Sequence, residues 1–319
     1  MQQNHIIKKK IIVFYKKKKR DLPWRKKLGE KQEPYKTLIS EFMLQQTRVD
    51  TAINYYRKFI NKWPDLNSLS RSKLSEVLTM WSGLGYYRRA VNLHKVAKII
   101  VKKYNGVIPD TKEELKKLPG IGEYTSSAIL GFAFGRSPII IDTNIRRFIS
   151  RINGVEDNVL LEKQVIVLAK KLFPKKNTGD FAQAIMDFAS AYCKKRNPVC
   201  SECIIKKECN FIDIKMLSTN EKKKKEKKKK YSFVFLLVDK KNHFLIKKRP
   251  LDKILGGLYE VPGTDWTTST WPNKNNLKKK NITFNSWIEK KEIIKHEFSH
   301  FNLFTKVFIK KIKKENKYV

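Results

Sequence analysis

Cys193, Cys200, Cys203 and Cys209 fall within 17 residues of one another, spaced C-x6-C-x2-C-x5-C. Four thiolates this close can surround one metal centre, either a zinc ion or an iron–sulfur cluster. Zinc sites usually come as two C-x2-C knuckles, and only one such pair is present. The flanking Lys194, Lys195, Arg196, Lys206 and Lys207 make the loop a basic knob suited to a phosphate backbone, or simply a solvated charge run. Two carboxylates also stand in apolar surroundings. Glu41 precedes Phe42, Met43 and Leu44, where desolvation would raise its pKa and keep it protonated as a general acid. Asp142 follows the apolar run Ile139–Ile141 and opens a helical pattern, the place of an N-cap. Each carboxylate taken alone reads as structural.

These groups need elements to hold them. Apolar residues recur at three- and four-residue spacing over Ser40–Arg57, Leu74–Met80, Arg89–Tyr104, Thr111–Leu118, Tyr124–Phe134, Asn144–Ile152, Leu160–Leu172 and Phe181–Cys193, which predicts helices. Thr111 and Glu114 form a capping box. Between two of the helices lies Leu118-Pro119-Gly120-Ile121-Gly122. Glycine permits positive φ and close approach, and N–H groups at the start of the second helix can meet an anion. The pattern is a helix-hairpin-helix over 111–134, a module that grips the DNA backbone through Gly120 and Gly122 without reading sequence.

Two charge runs divide the chain. Residues 1–20 are lysine-rich and predict an amphipathic or frayed basic arm. Glu221–Lys230 reads EKKKKEKKKK, which repels itself and predicts a linker over 220–230. The helical domain is expected over 21–219. Beyond the linker the texture changes to strands at Tyr231–Val238, His243–Lys247 and Asn302–Ile312, giving a smaller α+β domain over 231–319.

Composition narrows the class. Of 319 residues, 41% are hydrophobic, enough for packed cores. Lys and Arg outnumber Asp and Glu 70 to 30, a net charge of +40 that favours polyanions such as nucleic acid. Only thirteen of the 70 are Arg, and Lys, Ile and Asn are abundant together, the pattern an A+T-rich genome would impose on any protein, so the charge alone decides little. No apolar run nears the roughly 20 residues of a spanning helix, and no signal-peptide pattern precedes the fold. Four clustered cysteines do not make a disulfide framework. A cytoplasmic monomer with no membrane partner is expected.

Ser40-Glu41-Phe42-Met43-Leu44-Gln45-Gln46-Thr47, Gly83-Leu84-Gly85-Tyr86-Tyr87 and Asn92-Leu93-His94-Lys95, followed by the hairpin, Ile141-Asp142-Thr143-Asn144 and the cysteine loop, resemble the adenine DNA glycosylase (MutY) family. The resemblance runs from about Asp21 to Cys209 and weakly through the second domain. It implies a four-iron four-sulfur cluster on the four cysteines, as in the endonuclease III class. It implies base-excision repair of double-stranded DNA, with adenine removed opposite 8-oxoguanine or guanine. Breaking an N-glycosidic bond calls for an acid at the base and a negative charge near the developing cation of the sugar. By resemblance Glu41 protonates adenine at N7 and later activates water. Asp142 both caps its helix and stabilises the oxocarbenium ion, with a covalent intermediate as one route. Relatives that also cut the strand carry a lysine where Tyr124 stands, and a phenol cannot form an imine, so a monofunctional enzyme is expected. Tyr124 and Asn144 are implied to support Asp142 and the sugar, Arg25 and Gln183 to line the adenine pocket, and Gln46 and Tyr86 to wedge into the stack.

Gly256–Gly263 resembles the turn and strand of Nudix-type domains, without the catalytic helix after Gly263. Phe298, Ser299 and His300 resemble the centre of the loop that inspects 8-oxoguanine. Thr143 replaces the family's usual glycine. The domain also looks truncated, and a shortened sensor is expected to weaken the preference for 8-oxoguanine while leaving excision from A·G pairs intact. The rivals are an endonuclease III-like glycosylase/AP lyase and a non-catalytic basic DNA-binding protein.

Overall fold

The lysine-rich start of the chain folds as helix α1 (Gln2–Lys18), with Ile7, Ile11, Phe14 and Tyr15 turned inward at three- and four-residue spacing. Of the two readings of 1–20, amphipathic or frayed, the helix is the amphipathic one, and its apolar face is part of the core. Each buried apolar side chain contributes about 1.5–3 kcal/mol, and the lysines between them remain at the surface. The structure, a computed structural model, describes residues 2–155, 160–211, 226–251, 253–268, 270–274 and 286–312. It divides into two units, Met1–Asn220 and Glu221–Val319.

The first unit continues through α2 (Pro34–Leu44), α3 (Val49–Lys62), α4 (Leu66–Arg71), α5 (Leu74–Met80), α6 (Arg88–Lys103), α7 (Lys112–Lys116), α8 (Glu123–Phe132), α9 (Thr143–Ile152), α10 (Glu162–Leu172) and α11 (Thr178–Ala191). Residues from α1 and from α8 to α11 share one apolar core, with α1 packed on α11 and α10. Among the described residues no helix is long and apolar enough to cross a membrane.

The single helix expected over Ser40–Arg57 is broken. It ends at Leu44, and Gln46 turns into the left-handed region at φ 59° before α3 begins. Apolar spacing runs on across the turn, so periodicity does not reveal it. Buried Arg89 of α6 causes it, donating to the end carbonyls Phe42 O (3.1 Å), Met43 O (2.6 Å) and Gln45 O (2.5 Å). These are the groups a helix leaves unpaired at its C-terminus. At α7 half of the expected capping box forms: the Thr111 hydroxyl accepts from the Glu114 amide, whereas the Glu114 carboxylate turns to Tyr104 and Lys117.

In the second unit a four-stranded sheet has the order β4 (Thr267–Thr268), β1 (Lys228–Val238), β6 (Phe301–Lys311), β5 (Ile288–Glu297), beside a small pair of β2 (Lys247–Lys248) and β3 (Tyr259–Glu260). β1 and β6 run parallel, with Phe233, Phe235 and Phe308 in the core. β1 starts at Lys228, inside the stretch expected as linker, because Lys228–Lys230 pair with Phe301–Leu303 and the Lys230 ammonium lies 4.5 Å from the Phe301 ring centre. Residues 220–225 of that linker lie outside the described residues. The strand expected at His243–Lys247 shrinks to a bridge between Phe244 and Val238 and the start of β2.

Candidate active site

A cleft of about 710 Å³ in the helical unit is lined by Arg25, Glu41, Gln46, Tyr124, Asp142, Asn144 and Gln183 among others. These seven residues come from five places in the chain. Glu41 sits mid-way along α2, a helix buried on nearly every side, and is 6% exposed. Burial pushes its carboxyl up to about 7, opposed by a hydrogen bond from the Tyr124 phenol and reinforced by the charge of Asp142. Tyr124 lies in the first turn of α8, where burial and the two carboxylates hold its phenol well above the usual range. It is a neutral donor at any working pH.

Asp142 caps α9 as expected. Its Oδ1 accepts from the Ile145 amide and its Oδ2 from the Asn144 side chain, each at 2.7 Å. Burial raises its pKa and these donors oppose the rise. The two carboxylates are thus unequal: Asp142 has several donors that favour its ionised form, and Glu41 has the one phenol. Thr143, which stands where the resembled family usually has glycine, is the exposed first residue of α9, and the cap forms beside it. Asn144 in turn accepts from Arg147 (2.9 Å), whose Nε donates to the Cys193 carbonyl (2.7 Å), tying this corner to the cysteine loop.

Some positioning groups were not legible beforehand. Arg25 is held by Asp187, 3% exposed in α11, through a 2.6 Å ion pair, and the same carboxylate takes Arg20 at 2.5 Å. Asp187 lies between Met186 and Phe188 on a buried stretch of α11, the kind of apolar setting that marked Glu41. Gln183, one turn away, accepts from the Tyr15 phenol at 3.0 Å.

Around the cleft mouth Gln46 is exposed, and Tyr86, 45% exposed, sits at φ 48° in a loop that Arg89 also grips through Leu84 O and Gly85 O. One guanidinium therefore sets both expected wedge residues, although Tyr86 does not line the cleft. At the hairpin the two glycines differ. Gly120 needs its φ of +82°, and a Cβ there would fall 2.9 Å from the Asn92 amide nitrogen. Gly122 is extended, and a Cβ would meet nothing within 4 Å. Gly122 N-caps α8 without a side-chain acceptor, leaving first-turn N–H groups for an anion.

Cys193, Cys200, Cys203 and Cys209 line one small cavity with Phe148, Ile152 and Phe188. Among the described residues no group of three or more such ligands is arranged to hold a metal ion. Buried Arg151 fixes the loop, donating to Lys194 O (2.7 Å) and approaching Cys193 Sγ at 3.5 Å. In the second unit Phe298, Ser299 and His300 form the turn between β5 and β6. Phe298 stacks on Phe301 (4.6 Å) and meets Trp266 (5.5 Å), so it braces the turn, while Ser299 and His300 are exposed.

The chain is similar to known proteins over most of its length. Residues 39–175 match the HhH-GPD superfamily base excision DNA repair proteins, and 233–318 match the NUDIX domain. The adenine DNA glycosylase of Buchnera aphidicola subsp. Baizongia pistaciae (strain Bp) is 38% identical over 90% of this chain and 80% of its own. The Homo sapiens adenine DNA glycosylase is 37% identical over 62% of this chain and 38% of its own. Among solved structures, a thermostable thymine-DNA glycosylase superposes with TM-score 0.60 at 29% identity, covering 66% of this chain and 96% of that one. A trapped endonuclease III–DNA intermediate, at 23% identity and TM-score 0.58, shares the fold. The chain belongs to the adenine DNA glycosylases, base-excision-repair enzymes of the helix-hairpin-helix superfamily.

Proposed function

We propose that the enzyme hydrolyses the N-glycosidic bond of adenine paired with 8-oxoguanine or guanine and leaves the strand intact. The observation that carries this reading is the unequal pair in one cleft: Glu41, pushed up to about 7, and Asp142, held by Ile145 and Asn144. Adenine leaves the duplex at a cost of a few kcal/mol and enters the cleft, where Arg25 and Gln183 meet it. Glu41 gives its proton to N7 as the bond to the sugar breaks. The bonding electrons leave with the base, and the Asp142 carboxylate balances the sugar cation. Glu41, now ionised, accepts a proton from the water that adds to the sugar, giving free adenine and an abasic site. General acid catalysis supplies about 10²–10⁴-fold, so stabilisation of charge must supply much of the rest.

Tyr124 supports the monofunctional reading, since it offers no amine for attack on the sugar. Gln46 and Tyr86 fill the gap left by the base, Gly120 and Gly122 admit the phosphate backbone, and Ser299 and His300, backed by Phe298, read 8-oxoguanine. Cys193, Cys200, Cys203 and Cys209 would hold a four-iron four-sulfur cluster; all four thiols line one small cavity, and thiolates are the ligands such a cluster takes. When bound, the cluster cross-links the basic loop and fixes it for contact with phosphate. The test is single-turnover excision on A·8-oxoguanine, A·G and A·T duplexes, with borohydride present in a parallel set. Excision from the first two duplexes without a trapped covalent adduct supports the reading; an adduct, or equal excision from A·T, overturns it.

A further inference from the structure

The cleft is braced by a residue of the N-terminal helix. Tyr15 lies on α1, is 1% exposed, and donates its phenolic proton to Oε1 of Gln183 at 3.0 Å. Gln183 lines the cleft and is itself 5% exposed. An amide side chain is nearly symmetric in shape but not in chemistry: one end accepts and the other donates. A glutamine free to flip would offer either pattern to a base with equal ease. Here it is not free. The phenol proton requires an acceptor, and the carboxylate that Tyr15 feels most closely, Asp187, is committed to Arg20 and Arg25. With the amide reversed, its N–H would face the phenol, and the phenol would have to turn its proton into the surrounding apolar cluster. Burial also holds Tyr15 far above the usual phenol range, so the donor is present at every working pH.

We infer that Tyr15 is a specificity-positioning residue: through its hydrogen bond to Gln183 it fixes which end of that amide meets the flipped purine. Adenine carries a donating 6-amino group and an accepting ring nitrogen beside it, whereas hypoxanthine reverses both. A locked amide distinguishes the two patterns, and a rotating amide adapts to either. The helix that carries Tyr15 is anchored at its other end, where Lys10 pairs with Glu208 at 2.8 Å and Gln3 donates to Glu208 O at 2.7 Å. The phenol is thus presented by a fixed helix rather than a mobile terminus. The inference rests on the reading that Gln183 meets the base.

The test measures single-turnover release of adenine and of hypoxanthine, each opposite 8-oxoguanine, by wild type, Tyr15→Phe, Gln183→Ala and the double variant. Tyr15→Phe keeps the ring and removes only the donor. A neutral hydrogen bond of about 0.5–1.5 kcal/mol predicts that the adenine-to-hypoxanthine ratio narrows roughly two- to tenfold in Tyr15→Phe, with duplex affinity and melting temperature close to wild type. In the Gln183→Ala background the same change should leave the ratio where it is, because a residue acting through another has no effect once that one is gone. If Gln183→Ala narrows the ratio and Tyr15→Phe does not, the inference fails alone. If Gln183→Ala also leaves the ratio unchanged, Gln183 does not meet the base and both fail. A loss of rate in Tyr15→Phe that is equal for the two bases would show a purely structural role and overturn the inference.

Discussion

Tyr124→Phe should move the pH dependence of catalysis toward alkaline pH. The phenol donates to Glu41, and a donor favours the ionised form of a carboxylate, so it holds the Glu41 pKa below what burial alone would give. A general acid works only while protonated. In the wild-type enzyme the rate should therefore fall as pH rises through about 7. Hydrogen bonds to charged groups contribute about 1.5–3 kcal/mol, and one pKa unit is 1.36 kcal/mol. Losing the phenol should thus raise the Glu41 pKa by roughly one to two units. The assay is single-turnover adenine release across neutral and alkaline pH, with Glu41→Gln as the baseline. An alkaline limb displaced by about a unit or more in Tyr124→Phe bears out the reasoning. A limb that stays in place, or moves toward acid, refutes it, whatever happens to the maximum rate.

The same burial should make Glu41 a burden on stability. Its folded pKa of about 7 lies above the ordinary 4.5, so the folded state binds the proton more tightly. The cost is absent below about 4.5, grows between the two values and is complete above 7. Glu41→Gln should therefore stabilise the protein by about 3 kcal/mol at alkaline pH and by nothing at low pH, read from urea midpoints. The hairpin glycines should separate folding from binding. Gly120→Ala meets both a left-handed φ, about 1–2 kcal/mol, and the Asn92 and Phe42 side chains, so it should destabilise by at least about 2 kcal/mol. Gly122→Ala should leave stability within about 0.5 kcal/mol yet weaken duplex binding measurably, because its methyl enters the open space before the α8 N-terminus. Arg89→Met strips the carbonyls of Phe42, Met43 and Gln45 of their donor and should cost about 2–3 kcal/mol; calorimetry checks it.

Local signals served the catalytic corner well. Asp142 after an apolar run was readable as a cap because capping depends on neighbours three residues away, and Glu41 was conspicuous as an acid among Phe42, Met43 and Leu44. The hairpin, too, is a local pattern. What stayed hidden depends on distance in the chain. Asp187 has the same apolar surroundings as Glu41, yet its partners Arg20 and Arg25 lie some 160 positions earlier, beyond any periodicity window. Arg89 sits in an ordinary basic stretch, and only the fold brings the end of α2 to it. Residues 1–20 read as amphipathic and fold so, whereas the start of β1 stayed hidden because exposed Lys228 and Lys229 owe their strand to pairing with Phe301 and Asn302, some 70 positions later.

On the proposed function, Glu41 and Asp142 release adenine without cutting the strand. The most direct measurement incubates purified enzyme with a duplex holding one adenine opposite 8-oxoguanine and assays free adenine and strand breaks before and after alkali. Free adenine, with breaks only after alkali and neither in Glu41→Gln, is the predicted result. Breaks before alkali, or adenine released undiminished by Glu41→Gln, would contradict it.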